Sequence, residues 1–165
     1  YRPIALLNTD YKIYTKVLAT QLEYVLLDFI HPDQYRFIPQ RQTHDNLRRL
    51  VHLLEKAQKR NVPAILLALD AEKAFDRVDW GFLRATLEGM GFGLGFIAMV
   101  FANYTRPSTR IMVNGFLAEP LCLGRGTWQG CPLSPLLFTI SVEPLAIAIQ
   151  EEGGHTGSVL WVCAP

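Results

Sequence analysis

Between positions 10 and 29 apolar residues recur at three- and four-residue steps. Ile13, Tyr14, Val17, Leu18, Leu22, Val25, Leu26 and Phe29 form one stripe, with Lys12 and Lys16 on another face. The pattern predicts an amphipathic helix, with Asn8 or Thr9 as N-cap and His31-Pro32-Asp33 as its stop. After a loop containing Arg36, Pro39 and Arg41, a second helix is expected over about 43–60, with Leu47, Leu50, Val51 and Leu54 as its stripe. Lys56, Lys59 and Arg60 fall in its last turn, where complementing the helix dipole is explanation enough for them. The unbroken apolar run from Ala64 to Leu69 predicts a strand covered on both faces. Asp79 predicts an N-cap for a helix to about Met90, and a hinge of Gly91, Gly93 and Gly95 leads into another apolar helix ending near Tyr104. Asn114-Gly115, set between Thr109–Val113 and Phe116–Leu123, predicts a hairpin with a type I′ turn. Ser134-Pro135 opens a last helix with a cap and a first-turn proline, and Pro144 should kink it. This order of elements implies α+β layers, not an alternating α/β wind.

Composition narrows the class. The 165 residues are 50% hydrophobic and 19% charged, which excludes a disordered chain and suffices for one core, as one domain or two interdependent lobes. Charge is uneven: residues 1–62 carry ten Lys/Arg against six Asp/Glu, whereas 63–165 carry six against nine. A basic front and an acidic rear suit phosphate contacts in one part and cation binding in the other, although chance alone produces an imbalance of this size. Cys122, Cys131 and Cys163 form no C-x-x-C pair, so a reduced intracellular setting, nucleus or cytoplasm, is expected. The histidines (31, 44, 52 and 155) lack zinc-ligand spacing. The longest apolar stretch, Pro135 to Ile149, is interrupted by Glu143-Pro144 and is too short to span a bilayer, so no membrane association is expected. No apolar signal-peptide core follows Tyr1-Arg2-Pro3, and a first residue other than Met suggests a fragment.

Candidate chemistry begins where the apolar run ends in Asp70, with Phe75 five residues on. A carboxylate at the exposed end of a buried strand suits a divalent cation. Asp70 could equally be a turn former, and Asp76 and Asp79 turn and cap residues. A second segment, Arg125 to Phe138, places Gln129-Gly130 before a Pro-x-Ser-Pro turn at a helix start, suited to a sugar, base or phosphate. Its simpler reading is a plain loop-to-helix transition.

Together these segments resemble the reverse transcriptase domain of non-LTR (LINE-type) retrotransposons. The resemblance runs in order through Tyr1-Arg-Pro-Ile-Ala-Leu-Leu-Asn-Thr-Asp-Tyr-Lys-Ile13, His31-Pro-Asp-Gln34, Phe37-Ile-Pro39, Arg41-Gln42 and Asp45-Asn46. It continues through Leu69-Asp-Ala-Glu-Lys-Ala-Phe-Asp-Arg-Val78 and Gln129-Gly-Cys-Pro-Leu-Ser-Pro-Leu-Leu-Phe138, and covers about residues 1–150. A group II intron or telomerase-type enzyme is the rival assignment; the opening Arg2-to-Lys12 run favours the retrotransposon.

The resemblance implies a right-hand polymerase with fingers over 1–62, a partial palm over 63–150 and a divergent tail over 151–165. It implies RNA template, DNA primer and dNTP as partners, with Mg²⁺ as cofactor. Asp70 would be the first catalytic carboxylate and, with the Ala71 carbonyl, a metal ligand. Glu72, Lys73 and Ala74 would face the triphosphate, Phe75 the sugar, and Gln129 and Gly130 the nucleotide pocket. Arg41 would contact nucleotide, and Arg2, Arg36, Arg48 and Arg49 nucleic acid.

The chain also departs from the family pattern. Tyr35, Arg36 and Gln40 stand where the family has small residues and glycines, and Trp128 where an arginine is common. The Tyr-x-Asp-Asp motif that carries the other catalytic carboxylates is missing, and no acid follows Glu152. The expectation is therefore a fragment inactive by itself. Alternatives are a non-catalytic RNA- or DNA-binding module and a chain that associates, or aggregates, through an exposed palm edge.

Overall fold

The computed structural model describes residues 5–63, 66 and 70–152. Along the chain run α1 (Thr9–Phe29), α2 (Thr43–Lys59), a 3₁₀ turn (Ala74–Arg77), α3 (Trp80–Gly89) and α4 (Leu94–Ala102). Four two-residue strands follow, β1 (Ser108–Thr109), β2 (Met112–Val113), β3 (Phe116–Leu117) and β4 (Leu121–Cys122), and then α5 (Ser134–Glu152). Helices and small antiparallel pairs make this an α+β chain, as the order of elements predicts.

Local chemistry accounts for the boundaries. The Asp79 carboxylate accepts from the Phe82 amide at 2.8 Å and caps α3. At the other end Gly91, at φ +81°, donates to the Glu88 carbonyl while Phe92 donates to Leu87, both at 3.0 Å. That is a Schellman stop. Helix α2 ends in the same way with Asn61 as the left-handed residue: its amide reaches Gln58 at 3.1 Å, and Val62 reaches Ala57 at 3.0 Å. The hairpin closes as expected, because Asn114 (φ 50°) and Gly115 (φ 83°) both take the positive φ of a type I′ turn. Its arms are not in simple register. Met112 pairs with Leu117 and Thr109 with Leu121, leaving two residues between on one arm and three on the other. The extra residue makes a bulge in the stretch holding Pro120, which has no amide to give to a ladder.

Helix α5 is the centre of the packing. Leu136, Leu137, Phe138, Ile140 and Ala146 are buried on it, and α1, α3 and the 3₁₀ turn pack around it. It continues past Pro144 to Glu152. Helix α1 buries Thr15, Leu18, Ala19, Leu22 and Leu26. This corrects the predicted stripe: Ile13 (60% exposed) and Val17 (53%) face outward. Apolar residues lie on more than one side of α1, so its periodicity marks a helix without selecting the side that meets α5. On α2 only Asn46 is buried, and Leu47 is 59% exposed. The α2 stripe is thus a helix signal that stays mostly uncovered among the described residues, with Leu47, Val51 and Leu54 exposed and only Leu50 half-buried. The strand expected over 64–69 lies outside the described residues except for Leu66. That residue is 61% exposed and in no strand, against the two-sided cover expected of it.

Two substitutions separate these faces. Leu22→Ala is expected to cost about 2–5 kcal/mol because it empties a fully buried site, whereas Leu47→Ala should cost under about 0.5 kcal/mol. Urea denaturation of the two variants checks the difference.

Candidate functional site

Two distant segments are tied together by their backbones. The Gly126 amide donates to the Val78 carbonyl and the Thr127 amide to the Phe75 carbonyl, each at 2.8 Å. The Trp80 indole N–H donates to the Gly126 carbonyl at 2.8 Å. Gly126 sits at φ +94°, and a Cβ there would come within 3.0 Å of the Asp76 carbonyl oxygen. Only glycine allows this approach without displacing backbone. The segment after Asp70 and the loop before α5 are thereby held side by side. Below them the Phe75 ring packs on Phe138 at 4.9 Å between centroids and meets Phe37 edge-on at 6.0 Å.

The predicted residues distribute as follows. Asp70 and Ala71 are exposed, in irregular backbone. Glu72 is exposed and pairs with Arg77 at 2.9 Å. Lys73 takes φ 52° and its carbonyl accepts from Asp76 and Arg77, starting the 3₁₀ turn that sets Ala74 and Phe75 against the core. The Gln129 carbonyl accepts from the Ala5 amide at 3.3 Å, and Gly130 adopts φ +97°. Trp128 packs against the core with its indole N–H buried and without a partner among the described residues. As a candidate Mg²⁺ position, Asp70 offers one accessible carboxylate. Among the described residues no group of three or more His, Cys, Asp or Glu is arranged to hold a metal. One or two carboxylates completed by substrate phosphates and water is the usual way to hold Mg²⁺, so Asp70 fits as a single ligand.

The arginines play unequal parts. Arg41 turns inward and donates to the carbonyls of His31 (2.6 Å), Gln34 (2.7 Å) and Ile30 (3.2 Å), stapling the loop between α1 and α2. Arg49 pairs with the buried Asp33 carboxylate of that loop. The Arg36 guanidinium lies over the Phe37 ring at 5.1 Å. Arg48, its side chain 78% exposed, makes a 3.8 Å contact with Asp45. Arg2 lies outside the described residues.

The sequence reading missed Glu143. It is 1% exposed, and its carboxylate accepts from the His31 amide at 2.8 Å and the Gln34 side-chain amide at 3.3 Å. Burial raises its carboxyl above the ordinary range, opposed by the His31 amide and by the charges of His31 and Arg41. A signal was present: a lone acid within an apolar helix must find a buried partner. Gln40 is a second finding. It adopts φ 65°, a left-handed backbone conformation that suits glycine better than a residue with a Cβ.

Gln40→Gly should therefore raise stability by about 0.5–1 kcal/mol in denaturant titration, the relief of left-handed strain exceeding the added chain entropy. For Glu143, a raised folded pKa means a contribution present in full below the unfolded value and lost as pH rises through the folded one. Glu143→Gln cannot ionise, and Gln34 Oε1, which lacks a partner among the described residues, can accept from the new amide. Thermal midpoints from pH 4 to 8 should fall with pH more steeply in the parent chain than in the Gln variant.

The family described as Reverse transcriptase (RNA-dependent DNA polymerase) matches residues 1–159. The chain is 39% identical over 160 residues to the transposon TX1 uncharacterized 149 kDa protein of Xenopus laevis, across 97% of this chain and 12% of that protein. It is 29% identical over 161 residues to the retrovirus-related Pol polyprotein from type-2 retrotransposable element R2DM of Drosophila melanogaster, across 97% of this chain and 15% of the relative. A corresponding polyprotein from type-1 retrotransposable element R2 of Popillia japonica is 26% identical over 160 residues, 96% of this chain and 22% of its own length. The chain thus spans between 12% and 22% of the length of these relatives. It belongs to the reverse transcriptase family, in the non-LTR retrotransposon group of its TX1 and R2 relatives.

Proposed function

We propose that these residues form the fingers-like (1–62) and partial palm (63–150) regions of an RNA-directed DNA polymerase, with half of its nucleotidyl-transfer site. The observation that carries this reading is the backbone clasp of Gly126 and Thr127 on Val78 and Phe75, which places the segment following Asp70 beside the Gln129-Gly130 loop. In this reading Asp70 and the Ala71 carbonyl hold Mg²⁺, which when bound supplies charge neutralisation for phosphoryl transfer. Glu72, Lys73 and Ala74 line the triphosphate, and Phe75, braced by Phe138, limits the room at the sugar. Gln129 and Gly130 border the nucleotide. Arg41 shapes the loop facing the nucleotide, while Arg2, Arg36, Arg48 and Arg49 would contact the RNA template and DNA primer.

Like charges repel, so Asp70 alone does not hold the two divalent ions that phosphoryl transfer commonly uses. The further carboxylates of the Tyr-x-Asp-Asp motif do not occur in these 165 residues. The chain by itself is therefore proposed to bind an RNA–DNA hybrid without extending it. Two measurements check this: primer extension with Mg²⁺ and dNTPs, expected to give no template-dependent product, and hybrid binding across a salt series, expected to weaken steeply with salt. Incorporation that disappears in Asp70→Ala would show that the site is already complete. Absence of binding at low salt would remove the nucleic-acid reading.

A further inference from the structure

Helix α5 carries two polar side chains one turn apart, Thr139 and Glu143, and both reach the loop between α1 and α2. The Thr139 hydroxyl, within 3.0 Å of the Pro135 carbonyl in its own helix, also lies 3.4 Å from the Arg36 carbonyl, and the Thr139 carbonyl accepts from the Gln34 side chain at 3.5 Å. Glu143 receives the His31 amide and the same Gln34 side chain, and Gln150, two turns further on, meets His31 Nδ1 at 3.0 Å. The loop is closed on its other side by Arg41, which spans the carbonyls of Ile30, His31 and Gln34. These contacts end at Phe37, whose ring touches Phe75.

We infer that Glu143 is a positioning residue: by anchoring His31 and Gln34 to α5 it sets the 31–37 loop, and with it Phe37, against the Phe75 face of the candidate site. Hydrogen bonds to a buried carboxylate are directional and about twice as strong as those between neutral groups, so they fix one loop placement where non-directional packing would permit several. An apolar residue at 143 would fill the space while leaving the His31 amide unpaired and the Gln34 side chain with only its 3.5 Å contact to the Thr139 carbonyl. The functional half of the inference rests on the polymerase reading above; the structural half does not.

Hydrogen–deuterium exchange on the whole chain tests the anchor. In Glu143→Leu, amides of 31–38 should exchange about tenfold or more faster while those of α3 and α4 keep their rates, and Glu143→Gln, which retains a carbonyl acceptor, should restore most of the protection. A merely structural role would raise exchange throughout the chain; that result, or unchanged protection at 31–38, overturns the inference. In parallel, Glu143→Leu should bind an RNA–DNA hybrid about tenfold more weakly than the parent and Glu143→Gln within about twofold of it. Binding unaffected by a released loop overturns the positioning role. A parent chain that binds no hybrid at all instead removes the polymerase reading and leaves the exchange result to judge the anchor.

Discussion

Everything at the candidate site depends on how closely two backbones approach at Gly126. A side chain there would collide with Asp76, and the positive φ already excludes most residues. With glycine in place, two amide–carbonyl bonds and the Trp80 indole lock the loop before α5 onto the turn after Asp70. This is a short-range constraint with long-range effect, because it joins segments about fifty residues apart, next to where the Phe75 ring packs on Phe138 and meets Phe37.

Helix α5 then transmits that arrangement to the rest of the chain. Its first turns bury apolar side chains against α3 and α1, while Thr139 and Glu143 reach the loop between α1 and α2. Burying a carboxylate is costly, and the raised proton affinity of Glu143 is the sign of that cost. What the arrangement contributes is placement. The loop carries two non-glycine residues, Phe37 and Gln40, in the left-handed region, and Arg41 satisfies three of the surrounding carbonyls. Strain of this kind persists only where neighbouring interactions over-determine the backbone.

The basic character of the front half also divides on inspection. Arg41 and Arg49 are committed to holding the loop, through carbonyls and through Asp33, whereas Arg48 remains exposed on α2. Counting cations from the sequence therefore overstates the charge available to a phosphate backbone. Asp70, by contrast, is exposed.

Helix positions, the Asp79 cap, the Asn-Gly turn and the family motifs were legible in the sequence, because each depends on neighbours within a few residues. The sequence also marked Asp70, Phe75 and Gln129-Gly130 as a set. It did not reveal which side of α1 meets α5, since apolar residues occupy several sides. Nor did it show that the α2 stripe stays mostly uncovered among the described residues, because periodicity records a face without naming its partner. Glu143 read as an interruption in an apolar stretch until His31 and Gln34 were found beside it, more than a hundred residues away in the chain. Local chemistry determined the elements; the tertiary structure decided which carboxylate and which arginines became internal, because only packing brings distant donors and acceptors within hydrogen-bond reach.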